Sequence, residues 1–416
     1  MRKCPDCGQL TARTEDWACP WCGYPLLSRS YKKLPKIYRQ LKEERLYKCK
    51  PPVGVREGKG VPPLPNRLSV TGVRGKSTVV RWLELILRRR GVRTLAKVTG
   101  YADPHWIHNG EILPIKRINS VTLIDETLEY RKYPHDILIA ENQGISAYTM
   151  RVYNDIVKPD TILVTNIRLD HTDTMGETKQ EIAESIGCGF TEARFVVSGE
   201  EAPDLNQTLQ RHASRVGASF IQASSPTSLE WTPTTPLIGI IQSTLSTLGF
   251  HDLTPDEVNT LLDMIHKEGC LCRGKDSVIW FDGAKINDPE SADQVLDYLM
   301  RSHPEYVYSI VGYLRSDRPG RTKAFLPWFH KISKMERIKR LILAGYGCRD
   351  VANRIGNNKA TAISEKLPPD RVISLCAGSV IFLACNAVNT YMINLKARLA
   401  AISESLLTQN KIAIHK

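Results

Sequence analysis

The sequence predicts an α/β protein built on parallel sheets, preceded by a small cysteine-held module. Three observations predict it. Residues 67–90 pass from a β-prone segment through a glycine turn into an amphipathic helix. Short β-rich segments then alternate with helical stretches through the rest of the chain, the pattern of a doubly wound sheet. Near the amino terminus two Cys-x-x-Cys pairs, C-P-D-C at 4–7 and C-P-W-C at 19–22, stand eleven residues apart.

A chain of 416 residues with 42% hydrophobic residues accommodates two to three globular domains. The net charge of +13 is uneven: residues 1–69 hold 15 Lys/Arg against 6 Asp/Glu, the remainder 42 against 38. The basic amino-terminal arm suits an anionic surface, an acidic polymer or nucleic acid, and equally a solvated linker. No apolar core follows the charges of Met1-Arg2-Lys3-Cys4, and eleven cysteines without a secretory signal predict a reducing, cytoplasmic setting. Val372 to Leu395 is long enough to consider as a membrane span, but its Gly378, Ser379, Asn386, Asn389 and Asn394 favour a buried strand–turn–helix.

Taking the chain in order, Cys4, Cys7, Cys19 and Cys22 read as a zinc ribbon over residues 1–27, a closed site of four thiolates whose role is folding and docking. Two disulfides and a rubredoxin-like iron site are the alternatives. Residues 28–65 are basic and then rich in Pro and Gly, which predicts a linker and a domain boundary near residue 60.

Arg67 to Arg81 is the stretch that carries chemistry. Leu68, Ser69 and Val70 end a strand, Gly72 and Gly75 bracket a turn around Val73 and Arg74, and Lys76, Ser77 and Thr78 open a helix. Its apolar side is Val79, Val80, Leu83, Ile86 and Leu87. Glycines let amides approach a phosphate, the helix start favours an anion, Lys76 adds a point charge and the Ser77 hydroxyl suits Mg²⁺. Only two residues separate Gly72 from the Gly75-Lys76 pair, where the common nucleotide loop has about four.

Val92 to Val98 follows as a strand, then a hairpin over 106–118 with Asn109-Gly110 at its turn and a helix at 120–133 with Asp125, Glu126 and Glu129 exposed. The strand Asp136 to Ala140 ends at Glu141, where a carboxylate beside the phosphate loop suits Mg²⁺. Thr161 to Thr165 runs into Asn166, Asp170, His171 and Asp173, a polar cluster at the next strand tip. Further strands are expected at 195–198, 219–222, 277–282, 306–311, 340–344 and 371–376, with helices at 237–248, 256–266 and 292–301.

These residues resemble the ligase subunit of poly-γ-glutamate (capsule) synthase, a branch of the Mur ligase superfamily. The resemblance begins near residue 66. It rests on the T-G-x-x-G-K-[ST] form of the loop within G-V-R-G-K-S-T-V-V-R (72–81), P-I-K-R (114–117), the strand ending at Glu141, V-T-N-I-R-L-D-H-T-D-T-M-G (164–176), N-D-P-E-S (287–291) and R-S-D-R-P-G-R-T (315–322). It implies a Mur-ligase-type P-loop ATP-binding domain over 66–270 and a Rossmann-like α/β ligase domain over 271–416. It further implies an ADP-forming, ATP-dependent acid–amino acid ligase that makes an acyl phosphate and then an amide, on glutamate or a γ-glutamyl chain. Carried over by position, Lys76 and the amides of residues 72–78 hold phosphates. Ser77, Glu141 and His171 serve Mg²⁺, with Glu141 and His171 also serving the transferring phosphoryl group. Asn287 meets adenine, Asp317 the ribose and Arg273 the γ-phosphate.

Three departures accompany the resemblance. The ribbon stands where the family has a membrane helix, so a membrane or synthase-subunit partner would be met through the ribbon or the carboxyl-terminal apolar segment. Asn142-Gln143-Gly144 replaces Cys-Met-Ala after Glu141, and Cys376-Ala-Gly-Ser379 replaces a Gly-x-Gly-Asn turn. Both replacements are expected to bear on the acceptor. Two other functions compete: a zinc-ribbon nucleic-acid-binding NTPase, in which the downstream motifs have no role, and an ATP-binding scaffold without turnover. Nucleic acid is the disfavoured partner, and a homo-oligomer is left open.

Overall fold

The computed structural model describes residues 2–3, 10–11, 67–99, 104–115, 133–172, 174–224, 226, 229–269, 271–274, 277–316, 319–385 and 389–413. They fall into two compact units, Met1–Leu262 and Asp263–Lys416. Cys4, Cys7, Cys19 and Cys22, the basic linker, Lys116 and Arg117, residues 120–132 of the helix expected at 120–133, Asp173 and Asp317 lie outside the described residues.

The first unit opens with a short antiparallel pair, β1 (Arg2–Lys3) and β2 (Leu10–Thr11). The main sheet begins at β3 (Arg67–Thr71), which feeds α1 (Lys76–Arg89), β4 (Thr94–Val98), β5 (His105–His108) and β6 (Glu111–Pro114). There follow β7 (Ile137–Glu141), α2 (Ala147–Val157), β8 (Thr161–Val164), α3 (Lys179–Cys188), β9 (Phe195–Ser198), α4 (Pro203–Arg215) and β10 (Ser219–Gln222). Two helices, α5 (Pro236–Thr247) and α6 (Pro255–Gly269), come next.

The strand order is β10-β9-β8-β3-β7-β4-β5-β6. The sheet is parallel except along the β5–β6 hairpin edge. Strands β4, β7 and β8 are buried at every position, as strands covered on both faces must be. The order matters for function: β3, which leads into the glycine loop, lies between β7 and β8. Parallel pairing therefore delivers the tips of β7 and β8 to either side of that loop. The hairpin turn is Asn109-Gly110, with φ of 49° and 89°, the left-handed pair that a two-residue turn of this kind requires.

Helix α1 buries Val79, Val80, Leu83, Ile86 and Leu87, with Trp82 beside them. Past its end, Arg90 donates to both carboxylate oxygens of Glu257, at 2.9 and 2.7 Å. Glu257 also accepts from the Thr254 amide at 2.9 Å, while its own amide donates to the Thr254 hydroxyl, a reciprocal cap at the start of α6. The Arg90 guanidinium, above all, pulls the Glu257 carboxyl down to about 2, with burial opposing and the Thr254 bonds helping. A depressed acid stabilises the fold fully above the unfolded carboxyl range near 4.3 and loses that contribution as pH falls toward the folded value. Glu257→Gln is expected to lower the unfolding midpoint at pH 7, and the gap from the unsubstituted protein should close between about pH 4 and pH 2. A gap independent of pH over that window would show that the charge is not the cause.

The second unit contains β11 (Cys272–Arg273), β12 (Ile279–Phe281), α7 (Pro289–Ser302), β13 (Tyr308–Leu314), α8 (Pro319–Ser333) and β14 (Ile338–Gly345). It continues with α9 (Cys348–Ile355), β15 (Ala360–Ala362), α10 (Pro369–Leu375), β16 (Val380–Ala384) and α11 (Thr390–Ala413). Its sheet order is β11-β12-β16-β13-β14-β15, antiparallel only at β11. Helices α7, α8 and α9 pack on one face through Leu296, Leu299, Phe325, Phe329, Ile332 and Val351. Helices α10 and α11 pack on the other through Val372, Cys376, Met392, Leu395 and Leu399.

One expected strand is corrected. Residues 371–376 belong to helix α10 and its cap, and the strand is Val380–Ala384. Pro369 at the first helical position presets the backbone. Val372 and Cys376, four residues apart, are buried while Arg371 and Ser374 are exposed, which is helical spacing and not strand alternation. The apolar run 372–395 is thus a helix end, a turn at Gly378 with φ of 69°, a strand and the start of α11. Among the described residues no helix is long and apolar enough to cross a membrane.

Candidate active site

The site is built at the tip of β3. Gly72 and Gly75 have φ of 107° and 82°, values that side chains rarely adopt. A Cβ on Gly72 would stand 2.3 Å from the Thr165 hydroxyl, so the loop can cross β8 only with glycine there. Gly75 caps α1 without a side-chain bond, and the first-turn amides that follow have no acceptor inside the helix. This is an anion-binding arrangement.

Lys76 folds back over the loop, donating from Nζ to the carbonyls of Gly72 at 2.8 Å and Val73 at 3.4 Å. Burial pushes its ammonium below the ordinary lysine range. Glu141 and Asp170 pull it back up, and Arg74 adds to the depression. The Ser77 hydroxyl donates to Glu141 Oε2 at 2.9 Å, and the Thr99 amide donates to the same oxygen at 2.8 Å. Glu141 is 3% exposed. Ser77 at the helix start and Glu141 at the tip of β7 thus already share one point in space.

On the other flank, the loop after β8 carries Asn166, Asp170 and His171. Asp170 accepts from the Arg74 guanidinium at 2.8 Å and from the His171 amide at 2.9 Å. His171 Nε2 lies 3.9 Å from Asp170 Oδ2. His171 has φ of 53°, a backbone strain that recurs at functional positions. The structure therefore gathers Gly72, Val73, Arg74, Gly75, Lys76, Ser77, Thr78 and Glu141 at one end of the sheet, with His171 in the loop braced on Arg74 through Asp170.

Within this group two expected phosphate amides are corrected. The Val73 amide donates to the Asn166 carbonyl at 3.0 Å and the Arg74 amide to Asn166 Oδ1 at 2.9 Å. Both are engaged by the β8 loop.

Two residues of the first departure from the family pattern are engaged inside the fold. Asn142 is 1% exposed and donates to the Met150 carbonyl and Asn154 Oδ1, both at 3.1 Å, so it ties β7 to α2. Gly144 leaves no room for a Cβ, which would stand 2.4 Å from the Met150 amide. The turn at 376–379 precedes β16 and lies at the amino ends of the parallel strands, whereas sheets of this class bind ligands at the carboxyl ends.

In the second unit Arg273 is exposed on edge strand β11 and donates to the Tyr306 hydroxyl at 3.1 Å. Asn287 lies in the loop that follows β12, just before Asp288, the buried cap of α7 that accepts from the Ser291 amide at 2.8 Å. The sequence reading missed Glu200, 4% exposed, which accepts from the Ile167 amide at 2.7 Å and from the amides of Glu201 and Ala202 at 3.0 Å. A carboxylate just past the next parallel strand was the available signal.

Ser77 and Glu141 offer hard oxygen donors at one point, the chemistry that Mg²⁺ takes when it keeps waters and binds substrate phosphates. Among the described residues no three His, Cys, Asp or Glu side chains form a metal cage, as this mode of binding requires none.

Residues 70–216 match the Mur ligase middle domain, and residues 270–402 match the poly-gamma-glutamate synthase CapB C-terminal domain. The PGA synthase CapB of Bacillus subtilis is 31% identical over 137 residues, 31% of this chain and 35% of that protein. The dihydrofolate synthase/folylpolyglutamate synthase of Haemophilus influenzae is 29% identical over 178 residues, 37% of this chain and 39% of that protein. The chain thus spans little more than a third of the length of these curated relatives. The folylpolyglutamate synthase/dihydrofolate synthase of Yersinia pestis, solved with AMPPNP and a Mn ion, superposes with a TM-score of 0.60 at 17% identity, over 88% of this chain and 93% of that one. That likeness concerns the fold.

Proposed function

We propose, from the premise that this chain belongs to the Mur ligase superfamily, that it joins a carboxylic acid to an amine at the expense of ATP, acting on glutamate or a γ-glutamyl chain. The observation that carries the proposal is the shared position of Ser77 and Glu141 beside Lys76, at the start of a helix whose first amides are available to a phosphate. The names of the curated relatives, a PGA synthase and a folylpolyglutamate synthase, support the glutamyl substrate.

In the proposed reaction a substrate carboxylate oxygen forms a bond to the γ-phosphorus as the bond to the β–γ bridging oxygen breaks, releasing ADP. The amine lone pair then attacks the acyl carbon, phosphate leaves, and the amine gives up a proton. Such phosphoryl transfer asks the protein for charge neutralisation and alignment more than for a nucleophile. Lys76 and the amides of Gly75 to Thr78 hold the phosphates, and Ser77, Glu141 and His171 hold Mg²⁺, which when bound neutralises phosphate charge. His171 serves the transferring group. By resemblance Asn287 takes adenine, Asp317 the ribose and Arg273 the γ-phosphate. The test is ADP release from ATP with acidic amino acids and γ-glutamyl peptides. ATP binding without acceptor-dependent ADP release from any of them would sink the reaction.

The domain scheme we propose is a zinc ribbon over 1–27, a linker over 28–65 and ligase domains over 66–270 and 271–416. The donor set of Cys4, Cys7, Cys19 and Cys22 is that of a structural zinc site. One equivalent of zinc per chain is expected by elemental analysis, falling to near zero in Cys4→Ser/Cys22→Ser. A metal-free full-length chain would remove the ribbon. The setting we propose is reducing and cytoplasmic, with any membrane or synthase contact made through a partner.

A further inference from the structure

We propose that Asn166 is a positioning residue that gives the phosphate loop its shape. The loop has two residues between its first glycine and the Gly-Lys pair, and it braces itself on the neighbouring strand tip. Three bonds join the two. The Asn166 carbonyl accepts from the Val73 amide at 3.0 Å. The Asn166 side chain accepts from the Arg74 amide at 2.9 Å and donates to the Arg74 carbonyl at 3.1 Å. Both ends of one side-chain amide are thus spent on the two backbone groups of one loop residue, as a paired strand would do. Thr165 extends the contact by donating to the Thr71 carbonyl at 3.2 Å.

The clamp is itself supported from both directions. Asp170 holds the Arg74 side chain, and Glu200 fixes the Ile167 amide next to Asn166 at 2.7 Å. With Val73 and Arg74 turned toward β8, the chain must reverse at Gly75, and the following amides then point along the helix axis toward a phosphate. Asn166 does this through the backbone of Val73 and Arg74, while Lys76 and Ser77 stand at the proposed phosphate position. Its contribution is therefore to the geometry of phosphate binding and not to the chemistry.

The proposal rests on reading the loop as a nucleotide site, so one of its two tests is independent of that reading. In the ligand-free protein, hydrogen exchange should show the Arg74 amide protected. In Asn166→Ala its exchange should quicken at least tenfold. In Asn166→Asp, which retains an acceptor, protection should persist. The Val73 amide and the core amides of Leu68 and Val70 should stay protected in both variants, which separates loss of the clamp from unfolding. The second test is binding. Affinity for Mg·ATP and Mg·ADP should fall about tenfold in Asn166→Ala, the scale of one or two net hydrogen bonds, with adenosine unaffected because it carries no phosphate. Unchanged Arg74 exchange in Asn166→Ala overturns the clamp. Unchanged nucleotide affinity with quickened exchange overturns its role in phosphate binding. Failure of the unsubstituted chain to bind ATP would strike the nucleotide reading, with the exchange result still deciding the clamp.

Discussion

Replacing Lys76 with alanine is expected to lower acceptor-dependent ADP release by about a thousandfold or more while leaving the fold intact. The two halves of this expectation have separate physical causes. Structurally, the Lys76 ammonium donates to the carbonyls of Gly72 and Val73 at the mouth of the loop. Alanine also has the higher helix propensity at the first position of α1. Removing the ammonium also relieves the cost of its burial, so the stability change should be small. Catalytically, on the proposed reading, the same ammonium supplies a positive point charge to the terminal phosphate. Removing one preorganised donor from a developing anion typically costs about 10² to 10³ in rate, and a full charge in a site of low dielectric costs more. Lys76→Arg is not expected to rescue activity, because the planar fork is longer and cannot occupy the point position of an ammonium. Circular dichroism and the unfolding midpoint should match those of the unsubstituted protein. Turnover retained in a folded Lys76→Ala protein would remove the loop from the mechanism.

How much of this was legible in the sequence depends on the range of the interaction. The strand–glycine–lysine–helix unit at 67–89 could be read because each part is dictated locally: positive φ at Gly72 and Gly75, a 3.6-residue apolar period in α1, arginines in its last turn. Glu141 could be placed because a carboxylate ending a buried strand in a parallel sheet is at the ligand end by topology. The side on which Val73 and Arg74 present their amides could not be read. It depends on Asn166, which lies more than ninety residues away, and on β8 pairing with β3 in one particular register. Asn142 is a second case: its side chain is tied to α2 in the core, a long-range contact that its place just after Glu141 does not announce. Helix α10 failed for a third reason: seven residues are too few for periodicity to separate helix from strand. Pro368-Pro369 was the stronger signal.

Glu141 gives the second large effect, and its sign depends on the metal. Its Oε2 accepts from both Ser77 and Thr99. Glutamine in its place keeps an acceptor oxygen and nearly the same volume, so Glu141→Gln should fold as the unsubstituted protein does. What it loses is the negative charge. Without divalent metal, that charge opposes the phosphates of ATP, and its removal should leave nucleotide affinity unchanged or raise it. On the proposed reading, with Mg²⁺ the same charge would hold the cation against the phosphates, and its removal should weaken binding. The half-saturating Mg²⁺ concentration is expected to rise about tenfold or more and turnover to fall about a hundredfold, as for loss of one charged metal ligand and the alignment it maintains. Chelation of divalent metal should abolish turnover in the unsubstituted protein. Calorimetric titration of ATP with and without Mg²⁺ on both proteins reads the reversal directly. A buried carboxylate that merely tied β7 to α1 would change both affinities in the same direction, so two shifts of equal sign would exclude Glu141 from the metal site.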